Sequence, residues 1–158
     1  MPTKKEAKQH IEHVDARVIH FFKQTSVPLA RGAFFVVFFW FGFIKLTGLS
    51  PAGPLAEALT AQTIGAGYFE FAFKTLALIE CLIGVLFLFP KAVRVVIPLL
   101  FFHMAVVCAP LLLLPDMTWQ APFIPTLEGQ YIIKNIVIIA LAFGVAAHTQ
   151  PLVKSSDV

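Results

Sequence analysis

Residues 76–108 read LALIECLIGVLFLFPKAVRVVIPLLFFHMAVVC. Two oily runs flank a short Pro-led basic turn, and each run holds ionisable side chains, Glu80 and Cys81 in the first, His103 and Cys108 in the second. Each run is close to the roughly 20 residues that carry a helix across a bilayer core. A turn this short makes the two helices antiparallel neighbours. Glu80 stands ten residues before Pro90 and His103 nine residues after Arg94. At about 1.5 Å per residue both reach about 14–15 Å from the turn, near the bilayer midplane. An acid in hydrocarbon is costly unless it is neutral, paired or facing water. The shared depth therefore predicts a Glu80–His103 hydrogen bond, serving either to tie the helices together or to handle protons or a ligand.

The rest of the chain agrees with a membrane setting. Its 158 residues are 58% hydrophobic and 13% charged, with mean hydropathy +0.83 and seventeen Phe. A soluble domain carries about a quarter charged residues. Apolar stretches at 28–46, 71–89, 95–114 and 131–148 predict an all-α integral membrane four-helix bundle. Ahead of it, Ile11, Val14, Val18, Phe21 and Phe22 recur at helical spacing, which predicts an amphipathic helix in the membrane interface. The organisation expected is a cytoplasmic amphipathic helix over 1–27, a four-span domain over 28–148 and a cytoplasmic tail over 149–158. The charged first 26 residues do not resemble a cleavable signal peptide.

Orientation follows from Lys and Arg. Nine of the twelve lie before the first span (Lys4, Lys5, Lys8, Arg17, Lys23), just inside it (Arg31), in the short turn (Lys91, Arg94) or in the tail (Lys154). The loops over 48–70 and 115–129 have none. Both termini are expected in the cytoplasm. The basic balance is a consequence of this bias and points to the lipid bilayer as partner, not to nucleic acid. His10, His13 and His20 lack the carboxylate or Cys cluster that would complete a metal set, so no metal is expected.

Three cations break the bias: Lys45 ending the first span, Lys74 beginning the second, and Lys134, followed by Asn135, beginning the fourth. Lys74 reads as a snorkelling residue. Lys45 and Lys134 are expected to form a polar mouth above the Glu80 level. There they would meet a head group, a ligand carbonyl, or carboxylates such as Glu57 and Glu128. Cys81 and Cys108 differ in depth by about 7 Å, unfavourable for a disulfide, and read as packing residues. Pro98 and Pro110 are expected to bend the third span. Ala140 and Gly144 share the small-xxx-small spacing of close helix packing. Trp119, in the second outer loop, reads as an interfacial anchor.

The stretches FFWFGFIKLTG (38–48), ECLIGVLFLF (80–89), the basic turn and GQYIIKNIVIIALAF (129–143) together resemble the DoxX-like superfamily of four-helix inner-membrane proteins, in its YkgB-type branch. The resemblance covers roughly Ala30 to Ala147, and the G-x-Y-x-x-K-N opening of the fourth span is its most specific piece. It implies a multi-pass protein of the bacterial inner membrane. Members are tied to thiosulfate:quinone oxidoreductase subunits, thiol oxidative stress and reactive-chlorine resistance, and eukaryotic relatives act as cargo receptors or assembly factors. The matching positions are Trp40, Gly42, Lys45, Glu80, Gly84, Lys134 and Asn135.

The leading expectation is a redox-linked or oxidative-stress subunit that binds a quinone or similar lipophilic ligand between its helices. Phe38, Phe39, Trp40 and Phe41 would flank the ring, and Glu80 with His103 would exchange protons. Lys45 or Lys134, beside Asn135, would contact a carbonyl. With no haem-ligand pair or nucleotide loop in the sequence, electrons would come from a partner redox subunit or a diffusible carrier. The alternatives are a non-enzymatic scaffold or assembly factor and, less favoured, a small-solute transporter requiring a homo-oligomer.

Overall fold

The structure is a computed structural model that describes residues 4–149. Helix α1 runs unbroken over Lys4–Leu46, 43 residues, with Pro28 inside it. The amphipathic segment and the first apolar span are thus one continuous helix. α2 (Gly53–Thr63) follows, and then α3 (Phe69–Phe87). A single 3-10 turn at Pro90–Ala92 leads into α4 (Val93–Cys108), which contains Pro98. Pro110, with no N–H to continue the ladder, begins α5 (Pro110–Leu113), and α6 (Pro115–Thr118) comes next.

The segment after α6 forms a hairpin. β1 (Trp119–Ala121) and β2 (Ile124–Pro125) pair antiparallel, Trp119 opposite Pro125 and Ala121 opposite Ile124. Phe123 turns the hairpin at φ 63°. The Trp119 indole N–H donates to the Leu111 carbonyl at 2.9 Å, folding the hairpin back on α5. Thr126 caps α7 (Leu127–Ile133), its hydroxyl accepting from the Gly129 N–H at 3.1 Å. The last apolar stretch is interrupted at Lys134 before α8 (Asn135–Ala147).

The fold is all-α apart from that hairpin. Three stretches, Lys8–Leu46, Pro90–Leu113 and Leu127–Ala147, are helices long and apolar enough to cross a membrane. The remaining expected crossing corresponds to α3, whose 19 residues include Glu70, Lys74 and Glu80.

One buried stripe from each long helix makes the core. α1 contributes Ala30, Phe34 and Phe38, and α3 contributes Ile83 and Phe87. α4 gives Val93, Val96, Leu100 and Met104, and α8 gives Ala142 and Val145. The three- and four-residue spacings are those of one helix face. Phe34 and Phe87 stack with centroids 4.0 Å apart and planes 8° from parallel.

α1 and α3 approach closely, and two glycines permit it. A Cβ on Gly84 would lie 2.7 Å from the Phe39 nitrogen, and one on Gly42 would lie 2.7 Å from the Ala77 carbonyl oxygen. The close-packing face expected at Ala140 and Gly144 is not used inside this chain. Both residues are exposed, and a Cβ on Gly144 would meet nothing within 4 Å. Helix contact here is set by where backbones converge, and α8 presents other residues to the core.

Candidate functional site

The α1–α3 contact brings Lys45, in the last turn of α1, onto Glu80 in the middle of α3. Lys45 Nζ donates to Glu80 Oε2 at 2.6 Å. His103 of α4 lies on the other side of the same carboxylate, with Nε2 3.2 Å from Glu80 Oε1. The side chains of Lys45, Glu80 and His103 are 10%, 7% and 2% exposed, so three helices share one dry polar group. The Phe38 ring meets the His103 imidazole edge-on, with centroids 5.7 Å apart.

Lys45 and Glu80 are placed as an ion pair, which gives the ammonium an anion where it leaves water. An ionised carboxylate only accepts, so the His103 nitrogen facing it carries a proton. Neutral His103 is then the Nε2–H tautomer, an assignment that follows from the bonding pattern. Nδ1 is left as a buried acceptor without a hydrogen-bond partner. Lys45 and Glu80 form the group's ion pair, and its open position is the Nδ1 side of the imidazole.

The Glu80–His103 contact matches the depth argument. The partner of Lys45 does not: the expectation placed Lys45 at an outer mouth with Lys134, facing Glu57, Glu128 or a ligand. The Lys stem, apolar and long, instead lies along the helix contact and carries its ammonium to the Glu80 level. Lys134 is exposed, its ammonium 4.6 Å from the centroid of the Tyr131 ring. Asn135 is half-buried. Trp40 turns outward, 62% exposed, and of the four aromatics expected around a ring only Phe38 is buried. Helical phase accounts for Trp40, which lies about 200° round α1 from Phe38 and so opposite the buried stripe at Phe34, Phe38 and Gly42; Phe41 lies nearer that stripe and is nonetheless 56% exposed.

Arg31 was legible in the sequence only as a cytoplasmic charge. Its Nε donates to the Phe87 carbonyl at 2.6 Å, where the end of α3 leaves a carbonyl without an intrahelical donor. Lys74 pairs with Glu70 at 3.1 Å on the surface of α3. Cys81 and Cys108 are free thiols, and Cys81 Sγ lies 3.7 Å from the Phe39 carbonyl oxygen in the Gly42–Gly84 contact. Among the described residues no three His, Cys, Asp or Glu side chains gather as metal ligands.

The fold and site thus define a helical protein with three helices able to cross a membrane and one buried Lys–Glu–His group. Comparison with protein-family models, curated proteins and solved structures returns no match.

Proposed function

We propose that the chain is a DoxX-like protein of the bacterial inner membrane, crossing it four times with both termini in the cytoplasm. In this reading it binds a quinone or similar lipophilic ligand between its helices and exchanges protons with it through Lys45, Glu80 and His103. The observation that carries the proposal is the buried group itself, because ionisable residues inside membrane helices mark proton or ligand sites by default. The apolar exterior supports the bilayer setting: Trp40, Phe41, Phe43, Phe102 and Phe143 are each more than half exposed.

Reduction of a quinone to a quinol takes up two electrons and two protons. The electrons come from a partner redox subunit or a diffusible donor. His103 Nδ1 can take up a proton from a quinol hydroxyl, or return one to the oxygen of a reduced quinone, with Glu80 stabilising the intervening imidazolium from the Nε2 side; the second proton exchanges with water. Lys45 acts on the ligand through Glu80, by keeping that carboxylate ionised.

A second reading, a non-enzymatic scaffold, is favoured by one feature. Lys45 and Glu80 satisfy each other at the same α1–α3 contact that Gly42 and Gly84 bring close, so the pair can serve to fix helix register. Extraction of lipids from protein purified in mild detergent separates the two. Near-stoichiometric quinone in the wild type, and its loss in His103→Phe protein that remains folded, supports the ligand-binding reading. A folded wild-type protein that carries none, and takes none up from quinone-loaded vesicles, leaves the scaffold.

A further inference from the structure

The part of α1 that precedes the core has no partner among the described residues. From Lys8 to Leu29 no residue is buried, and only Thr25 and Val27 are as much as half-buried. Yet Ile11, Val14, Val18 and Phe21 are 67%, 48%, 47% and 60% exposed, and they follow one another at spacings of three, four and three. That alternation is the seam of a coiled coil, with Ile11 and Val18 at the a positions and Val14 and Phe21 at d. These four residues span about 80° of the helix, narrower than the face a globular core takes up.

We infer that this segment pairs in parallel with the same segment of a second copy of the chain, as a short two-stranded coiled coil outside the membrane. The direction rests on the membrane reading above, and charge supports it separately. α1 is one helix of 43 residues, about 64 Å long at 1.5 Å per residue, against a hydrocarbon core of about 30 Å. Having crossed the bilayer, it projects its first half away from the surface, and copies inserted with one topology project theirs side by side. The flanks agree. His10 and Arg17 line one edge of the seam, while Lys8, Asp15 and Phe22 line the other. A parallel pair sets His10 against Asp15 of the second copy and lays the Arg17 stem and guanidinium on Phe22. An antiparallel pair would oppose Asp15 to Asp15 and Arg17 to Arg17. Four apolar layers are few for an isolated coiled coil, but confinement of both copies to one membrane raises their effective concentration.

Cysteine cross-linking of the full chain in membranes tests this, with Cys81 and Cys108 replaced by Ala. Ile11→Cys and Phe21→Cys should each form same-residue disulfide dimers under mild oxidation, several-fold above Ala16→Cys on the outer face of the helix. Cross-linking at only one of the two positions would break the in-register parallel pairing and overturn the inference. Cross-linking at neither, with the protein still in the membrane fraction, would overturn it as well, the stripe then lying on the bilayer surface or pairing antiparallel with Ile11 against Phe21 of the second copy. Loss of all variants from the membrane fraction would instead refute the membrane reading. A Val14→Glu, Val18→Glu double variant, inserted but no longer cross-linking at Ile11→Cys, ties the dimer to the seam.

Discussion

Pairing of Lys45 with Glu80 can be measured by a double-mutant cycle. Lys45→Met keeps the stem and removes the ammonium 2.6 Å from Glu80 Oε2, leaving a carboxylate whose side chain is 7% exposed with His103 as its remaining partner. Glu80→Gln keeps the hydrogen bond to His103 but strands an ammonium whose side chain is 10% exposed. Breaking a buried pair from one side costs about 3–5 kcal/mol. Proton uptake by Glu80, or withdrawal of the Lys45 head toward water, holds each single change near the lower end, about 3 kcal/mol. The double variant removes both charges, keeps an acceptor for His103 and fills the same volume, so its cost should be about 1 kcal/mol. The coupling is then about 5 kcal/mol, far above the roughly 0.5 kcal/mol within which independent sites add. Unfolding by sodium dodecyl sulfate in mild-detergent micelles, followed through Trp40 and Trp119 fluorescence, supplies the four free energies. A double variant as unstable as the two singles summed would refute the pairing, and with it the view that Lys45 fixes the ionisation of Glu80.

Two further outcomes are expected. Gly84→Ala should cost about 1–3 kcal/mol in the same assay by pushing α1 off α3, whereas Gly32→Ala, whose Cβ would meet nothing within 4 Å, should be neutral or stabilise by up to about 1 kcal/mol; equal effects would mean the helices do not meet at Gly84. Reporter fusions at Ala52 and after Thr149 should give opposite localisation signals, and the same signal from both would eliminate the four-span topology.

Much of this protein follows from patterns that need no tertiary knowledge. Composition, four apolar stretches and the Lys/Arg bias point to membrane helices, because burial in lipid restricts each span in the same way whatever it packs against. The level of Glu80 with His103 could be computed because both are counted from one tight turn, and axial rise along a helix is fixed. Rotation and side-chain reach are another matter. Which face of α1 meets α3 is settled by where Gly42 and Gly84 let two backbones approach, and that choice turns Trp40 outward and brings Phe38 to His103. Lys45 went to Glu80 because a flexible stem can carry its charge well away from its own Cα, so spacing along the chain does not locate the ammonium. The same freedom left Lys134 out over Tyr131. Likewise the alternation at Ile11, Val14, Val18 and Phe21 is plain in the sequence, but only a helix continuous through Pro28 shows that the stripe extends beyond the apolar stretch with nothing among the described residues to cover it.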